Sequence, residues 1–267
     1  MDILIQGGIY KGTIDTALHY LNLSFVEKII ISTWKNEDIP DKINDKIEII
    51  KLDKPEIYDG VDTFGIKIPI TINLQLVSSR EGLKRTTSTI VAKTRSDQKI
   101  SLDSMAKMNA YFLKHCHEIK REFVDKTGPK GPVFVIGTNS RWPFHPQDHV
   151  FWGFKSDVKK IFDIPLLAKE LHSIDFSLVY RGPIHFGVYY AARFDEKITN
   201  YIKNYGEYLT SSGPTTEKRE EALSLSREMM DDIFRVFPPI EMYWEKYNSG
   251  YWYSDYASQG EYFGKEW

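Results

Sequence analysis

Cysteine is almost absent from this chain: Cys116 is the single one in 267 residues. One thiol excludes an internal disulfide framework and points to a reducing compartment, so a cytoplasmic location is expected. No apolar run approaches the length that crosses a bilayer. The opening MDILIQGG has no basic segment leading into a long apolar one, so no secretory signal is expected. Neither sign of charge dominates. With 35 Lys and Arg against 37 Asp and Glu, the formal charge is −2, which gives no electrostatic case for a nucleic-acid partner. Internal repeats and low-complexity segments are missing as well. So are G-x-G-x-x-G and the P-loop, which disfavours dinucleotide and Walker-type nucleotide binding.

What is present fits one large or two small globular domains. Hydrophobic residues make up 42% and charged residues 27%, ordinary proportions for a packed soluble domain. Aromatics reach 14%, which fits a surface that stacks rings on sugar faces and fits a large aromatic core equally well.

Apolar, β-branched runs without alternation predict strands covered on both faces. They occur at Asp2 to Gln6, Lys28 to Thr33 (closed by Trp34), Ile47 to Leu52, the TIVAKTR segment ending at Arg95, Val133 to Gly137 and Val150 to Gly153. Helical spacing predicts helices over about Thr13 to Leu23, with Ile14, Leu18 and Leu21 on one side, and over Asn73 to Leu83, with Gly82 near its end. It predicts a third over Ser101 to Glu122, with Met105, Met108, Phe112, Cys116 and Ile119 on one stripe. A fourth is expected near Asp157 to Phe162, capped by Ser156. This order predicts an α/β fold with a mostly parallel, Rossmann-like sheet flanked by helices. Residues 1–165 form the core in this reading. Residues 166–267 are expected to be helix-rich and aromatic, packed on the same domain, with the Trp- and Tyr-rich stretch after Tyr243 covering the sheet or a site.

Ligands of open α/β sheets sit beyond the carboxyl ends of the strands. Gln6, Gly7 and Gly8 follow the first strand there, and glycine lets backbone approach a ligand closely. An ordinary strand-to-helix turn would look the same. Thr33 and Asp53 end the second and third strands, where Asp53 could accept from a base or a ribose hydroxyl. Asn73, Ser79 and Arg80 lie on the helix before the TRSD segment and could line the same space, or serve capping and surface roles. Lys93, Arg95 and Asp97 stand at the end of the fourth strand. A carboxylate flanked by cations can hold a divalent ion by hard oxygen ligands, with the cations on phosphates. In the WPFHPQDHVFWG segment, Asp148 lies among aromatic residues and could act as a general base. His145 and His149 are spaced for one helix face, but Pro146 argues against a regular helix and hence against zinc. Cys116 reads as core rather than nucleophile.

The segments QGGI, NLQLVSSREGL, VAKTRSDQ and QDHVFWGFKSDV together resemble the WavE-type lipopolysaccharide-synthesis family, and the strand order resembles a GT-A-like glycosyltransferase. The resemblance covers residues 1 to 165 well and the remainder weakly. It implies a nucleotide-sugar donor, a divalent cation (Mn or Mg) and an oligosaccharide or glycolipid acceptor of a surface glycan, with contact at the inner membrane face open. By position, Arg95-Ser96-Asp97 stands where such enzymes carry D-x-D, with Arg95 replacing the first acidic residue. Asp97 would be the metal ligand and Asp148 the base on the acceptor side. Gln6, Gly7, Gly8, Thr33, Asp53, Asn73, Ser79, Lys93 and Arg95 would hold the donor. A sugar nucleotidyltransferase and a non-catalytic glycan-binding protein are the alternatives.

Overall fold

The computed structural model describes residues 1–61, 67–118, 131–137, 146–167, 220–221, 224–228, 233–238, 240–244, 249–253 and 263–265. The elements are β1 (Asp2–Gln6), α1 (Thr13–Tyr20), β2 (Lys28–Trp34), β3 (Ile47–Leu52), the antiparallel pair β4 (Tyr58–Val61) and β5 (Lys67–Ile70), and α2 (Ile72–Arg85). Then come β6 (Ile90–Arg95), β7 (Gln98–Ile100), α3 (Leu102–His115), β8 (Val133–Val135), β9 (Phe151–Phe154) and α4 (Lys155–Phe162). The last described elements are β10 (Phe234–Val236), β11 (Ile240–Trp244), β12 (Ser249–Tyr253) and β13 (Phe263–Lys265).

Seven strands form the main sheet in the order β10-β8-β9-β6-β1-β2-β3. β9 runs antiparallel to both of its neighbours, and the other pairings are parallel. This is the mostly parallel, Rossmann-like α/β sheet expected from the unbroken β-branched runs. A second sheet, β13-β12-β11-β7, adds a short strand that directly follows β6. Strands from beyond residue 233 thus enter both sheets.

Alternate residues of each central strand serve opposite faces. Ile3, Ile5, Ile29, Ile31 and Ala92 join Ala17 and Tyr20 of α1 and Met105, Met108 and Phe112 of α3 in one core. Full burial stabilises each large aliphatic side chain by about 1.5–3 kcal/mol. Leu4 faces α2 instead. A Cβ at Gly82 would overlap its side chain, so glycine there brings helix and sheet together. Gly82 lies inside α2 rather than at its end, because close packing on Leu4 outweighs the helix propensity that glycine lacks.

Several boundaries and faces differ from those expected. α1 stops at Tyr20, and it buries Thr13, Thr16, Ala17 and Tyr20 while Leu18 is exposed. Ile14 and Leu21 of the expected stripe are partly buried against the same core, and full burial goes to the small residues and the ring that fit against the strands. α4 starts at Lys155 with no side-chain cap, so Ser156 lies in its first turn. Asn73 and Leu83 are interior to α2. α3 is capped by the Ser101 side chain, and its stripe of Met105, Met108 and Phe112 is buried as expected, as is Cys116. Ile119 lies outside the described residues, as do 168–219, where helices were expected. The described elements after residue 233 are strands.

Candidate functional site at the carboxyl ends of β1 and β6

β1 and β6 pair in parallel with Gln6 opposite Arg95, and β2 places Ser32 on the other side of Gln6. β1 and β6 therefore end level, and β2 runs two residues further, to Trp34. Beyond them lies a cleft of about 130 Å³ lined by residues that include Gln6, Gly7, Gly8, Trp34, Gln75, Arg95, Ser96, Asp97 and Asp148.

Local bonding holds this rim. Gly7 has φ 122°, a conformation that favours glycine. A Cβ there would stand 2.8 Å from the Ser96 hydroxyl. Gly7 N donates to Ser32 O and Ser96 N donates to Gln6 O. The Thr13 hydroxyl at the start of α1 donates to Ser96 O. The turn carrying Asp97 is thus tied to the end of β1 and to α1. The Ser78 hydroxyl donates to Gln6 Oε1 at 2.7 Å, which orients the Gln6 amide from the α2 side.

The charges of the cleft centre on Arg95. Its Nε and Nη2 donate to Asp97 Oδ1 and Oδ2 at 2.9 and 2.8 Å, a bidentate pair of the strong, charge-assisted kind. Its Nη1 reaches Asp148 Oδ2 at 3.4 Å. The Asp97 side chain is 4% exposed and that of Asp148 29%. Burial alone would push the Arg95 guanidinium down, but Asp97 and Asp148 outweigh it and hold the group well above its ordinary value.

Lys93 lies behind this cluster, fully buried. Its Nζ donates to Asp148 O at 2.7 Å and stands over the rings of Phe151 and Phe162. Burial pushes the ammonium down to about 7, with Asp148 opposing. His149 is buried beside it. The Gln98 amide contacts its Nδ1, and burial lowers the ring to about 4, again against Asp148, so the imidazole is neutral at pH 7.

Of the residues the sequence singles out, Gln6, Gly7, Gly8, Arg95, Asp97 and Asp148 line one cleft. Six others lie elsewhere. Asp53 is a solvated strand end paired with Lys35. Asn73 clamps the backbone of Leu167 through both amide atoms. Thr33 and Ser79 are fully buried, and their hydroxyls have no partner among the described residues. Lys93 supports Asp148 from within. Arg80 likewise turns away from the cleft, donating to Phe162 O and Ile164 O at the end of α4. Neighbouring elements, not strand position, decide these outcomes: Asn73, Ser79 and Arg80 lie on α2, and Lys93 shares its strand parity with Arg95 yet packs against Phe151 and Phe162.

Gln75 lines the cleft without having been anticipated. It is 9% exposed, and its Nε2 has no hydrogen-bond partner among the described residues. The sign was available: Gln75, Ser78 and Ser79 are polar residues on the buried side of α2. Tyr10, Thr71, Leu74 and Ser96 also line the cleft.

The carboxylates do not fit a divalent ion as they stand. Both Asp97 oxygens face the Arg95 guanidinium, and among the described residues no three acidic, His or Cys side chains come together. His145 and Trp142 lie outside the described residues, so the His145–His149 pair is not formed among them.

Fold and cleft together define a Rossmann-like α/β protein with a candidate site at the strand carboxyl ends, where a half-buried arginine stands between two carboxylates. The family model for WavE lipopolysaccharide synthesis matches residues 5–211, and the chain belongs to that family. No curated protein matches the chain. Among solved structures, HddC from Yersinia pseudotuberculosis is similar at 14% identity, over 65% of this chain and 84% of that one, with a TM-score of 0.32. A Bacillus anthracis protein, provisionally described as a glucose-1-phosphate thymidylyltransferase and solved with a sucrose, is 11% identical over 87% of this chain and 95% of that one, with a TM-score of 0.36. Both likenesses are distant. No helix among the described residues is long and apolar enough to cross a membrane.

Proposed function

We propose that the protein is a glycosyltransferase that moves a sugar from a nucleotide-sugar donor to a lipopolysaccharide, capsule or other surface-glycan acceptor. One observation carries this reading: in a member of a lipopolysaccharide-synthesis family, Arg95, Asp97 and Asp148 meet in a cleft at the carboxyl ends of β1 and β6. The antiparallel β9 between two parallel strands supports the GT-A-like form of the fold.

The close approach allowed by Gly7 and Gly8 seats the donor against backbone, with Gln6 held ready by Ser78. Arg95 is the phosphate-facing cation. Asp148 is the more exposed of the two carboxylates, and it is the base of an inverting transfer. It takes the proton of the acceptor hydroxyl as that oxygen bonds to the anomeric carbon. The nucleoside diphosphate leaves with the electron pair of the broken bond. A lipid-linked acceptor would bring the protein to the inner membrane face.

Incubation with labelled nucleotide sugars and cell-envelope acceptors tests the assignment. Transfer of label to glycan is the expected result. Asp148→Asn should lower transfer by ~10²–10⁴-fold with donor binding nearly unchanged; full turnover in that variant removes Asp148 from the role of base. Label that appears as nucleotide sugar from nucleoside triphosphate and sugar phosphate would identify a nucleotidyltransferase instead. Glycan binding without nucleotide binding would identify a non-catalytic protein.

A further inference from the structure

Arg95 occupies the ground that a cation would need. A magnesium ion sits about 2.0–2.1 Å from its oxygen ligands and demands near-octahedral coordination. Both oxygens of Asp97 lie within 2.9 Å of guanidinium nitrogens. An ion on the same oxygens would meet a fixed positive charge at contact range, with little solvent to screen it. Asp148 is the second carboxylate of the cleft, and no third acidic or His ligand joins them among the described residues. The chemistry that a metal supplies to a diphosphate is positive charge and a fixed geometry. Arg95 offers both, since its planar fork matches phosphate oxygens.

Resting on the transferase reading, we infer that this cleft binds the donor diphosphate without a divalent ion, through Arg95 and the amide of Gln75. The contacts of Arg95 with the two carboxylates are unequal. The two to Asp97 are short and fix the plane of the guanidinium, whereas Nη1 to Asp148 is the longest at 3.4 Å. A phosphate oxygen entering the cleft takes Nη1 from Asp148. A second oxygen satisfies Gln75 Nε2, a buried donor that lines the same cleft with no partner among the described residues. Giving up Nη1 also ends the Asp148–Arg95 contact, which makes the carboxylate a stronger base toward the acceptor hydroxyl. Donor binding thereby prepares the base, and Asp97 is the positioning residue that holds the arginine.

Calorimetry of the full chain with UDP, GDP, CDP and ADP tests this, first in EDTA and then with Mn²⁺ or Mg²⁺. The expected result is binding of one of these nucleotides in EDTA, changed by less than ~3-fold when metal is added. Binding that needs the metal, or tightens more than ~10-fold with it, overturns the inference and leaves the transferase reading standing. Failure of every nucleotide to bind in both conditions overturns the transferase reading itself. Arg95→Ala would strand a buried carboxylate and could unfold the chain, so the variant to use is R95Q/D97N, which removes both charges and keeps hydrogen-bonding groups. It should weaken nucleotide binding by ~10-fold or more in EDTA, while Gln75→Leu weakens it less. Wild-type affinity in the double variant overturns the role of Arg95.

Discussion

Two ends of the same pair of strands treat a buried carboxylate in opposite ways. At the amino end of β1, Asp2 is fully buried and held by neutral donors. Thr87 N, Ser88 N and the Ser88 and Thr87 hydroxyls all point at its oxygens. At the carboxyl end of β6, Asp97 is equally hidden, but its partner is a guanidinium. Backbone and hydroxyl donors belong to the loop after α2 and cannot be exchanged, so Asp2 is a fixed strut. An arginine can trade one anion for another of similar shape. Asp97 lines a cleft, and Asp2 is not among the residues that line it. Burial alone therefore does not separate the two carboxylates; the exchangeability of the partner does.

Breaking the cationic end should cost most. Arg95→Ala leaves Asp97 buried without its bidentate partner, and a loss of about 3–5 kcal/mol is expected from urea denaturation. Adding Asp97→Asn should restore much of it, because the stranded charge is gone. No recovery would mean that packing, not charge, is what Arg95 supplies.

The neutral end gives a smaller effect with a pH signature. Burial pushes the Asp2 carboxyl up, yet the Ser88 and Thr87 donors outweigh it and hold it below 3.8. A carboxyl that is more acidic folded than unfolded stabilises the fold fully above the unfolded value. That contribution drains away as pH falls through the folded one. Asp2→Ala should cost about 1.5–3 kcal/mol at pH 7, and its stability should fall less on acidification below about pH 4 than that of the wild type. Parallel curves for the two proteins would contradict this account of Asp2.

Lys93 sharpens the comparison with the smallest expected change. Its ammonium titrates near 7 when folded and at 10.5 unfolded, so the unfolded chain binds more protons between those values. Stability should therefore rise with pH across that window, with the full cost of the buried charge present below it. Lys93→Met should flatten this rise and gain about 1 kcal/mol at pH 7, the relief of a buried charge less the lost bond to Asp148 O. A steeper rise in the variant would show that another group carries the titration.

Much of the fold was legible because it depends on local pattern. IEIIKL is the strand Ile47–Leu52 to the residue, since a run of β-branched and aliphatic residues has few other uses. The buried stripe of α3 follows from helical spacing. Gly82 was misread as a helix end because its role is set by Leu4, a residue 78 positions away (82 − 4). The cleft was legible in part for the same reason. Gln6, Gly7, Gly8, Arg95 and Asp97 follow their strands directly, so the rule that ligands sit at strand carboxyl ends found them. Asp53 obeyed the same rule of position yet turned to solvent, and Asn73, on α2, turned to Leu167.

By itself, then, the order of apolar runs determined a covered, mostly parallel sheet and the strand ends where a site would lie. Local sequence also placed an arginine two residues before Asp97. Only the tertiary structure decided that these two side chains close on each other, that Asp148 arrives beside them from a strand-end loop 51 residues on (148 − 97), and that Gln75 lines the space with a spare donor. The physical reason is that charge pairing and desolvation act through space, between groups whose separation along the chain carries no record of their meeting.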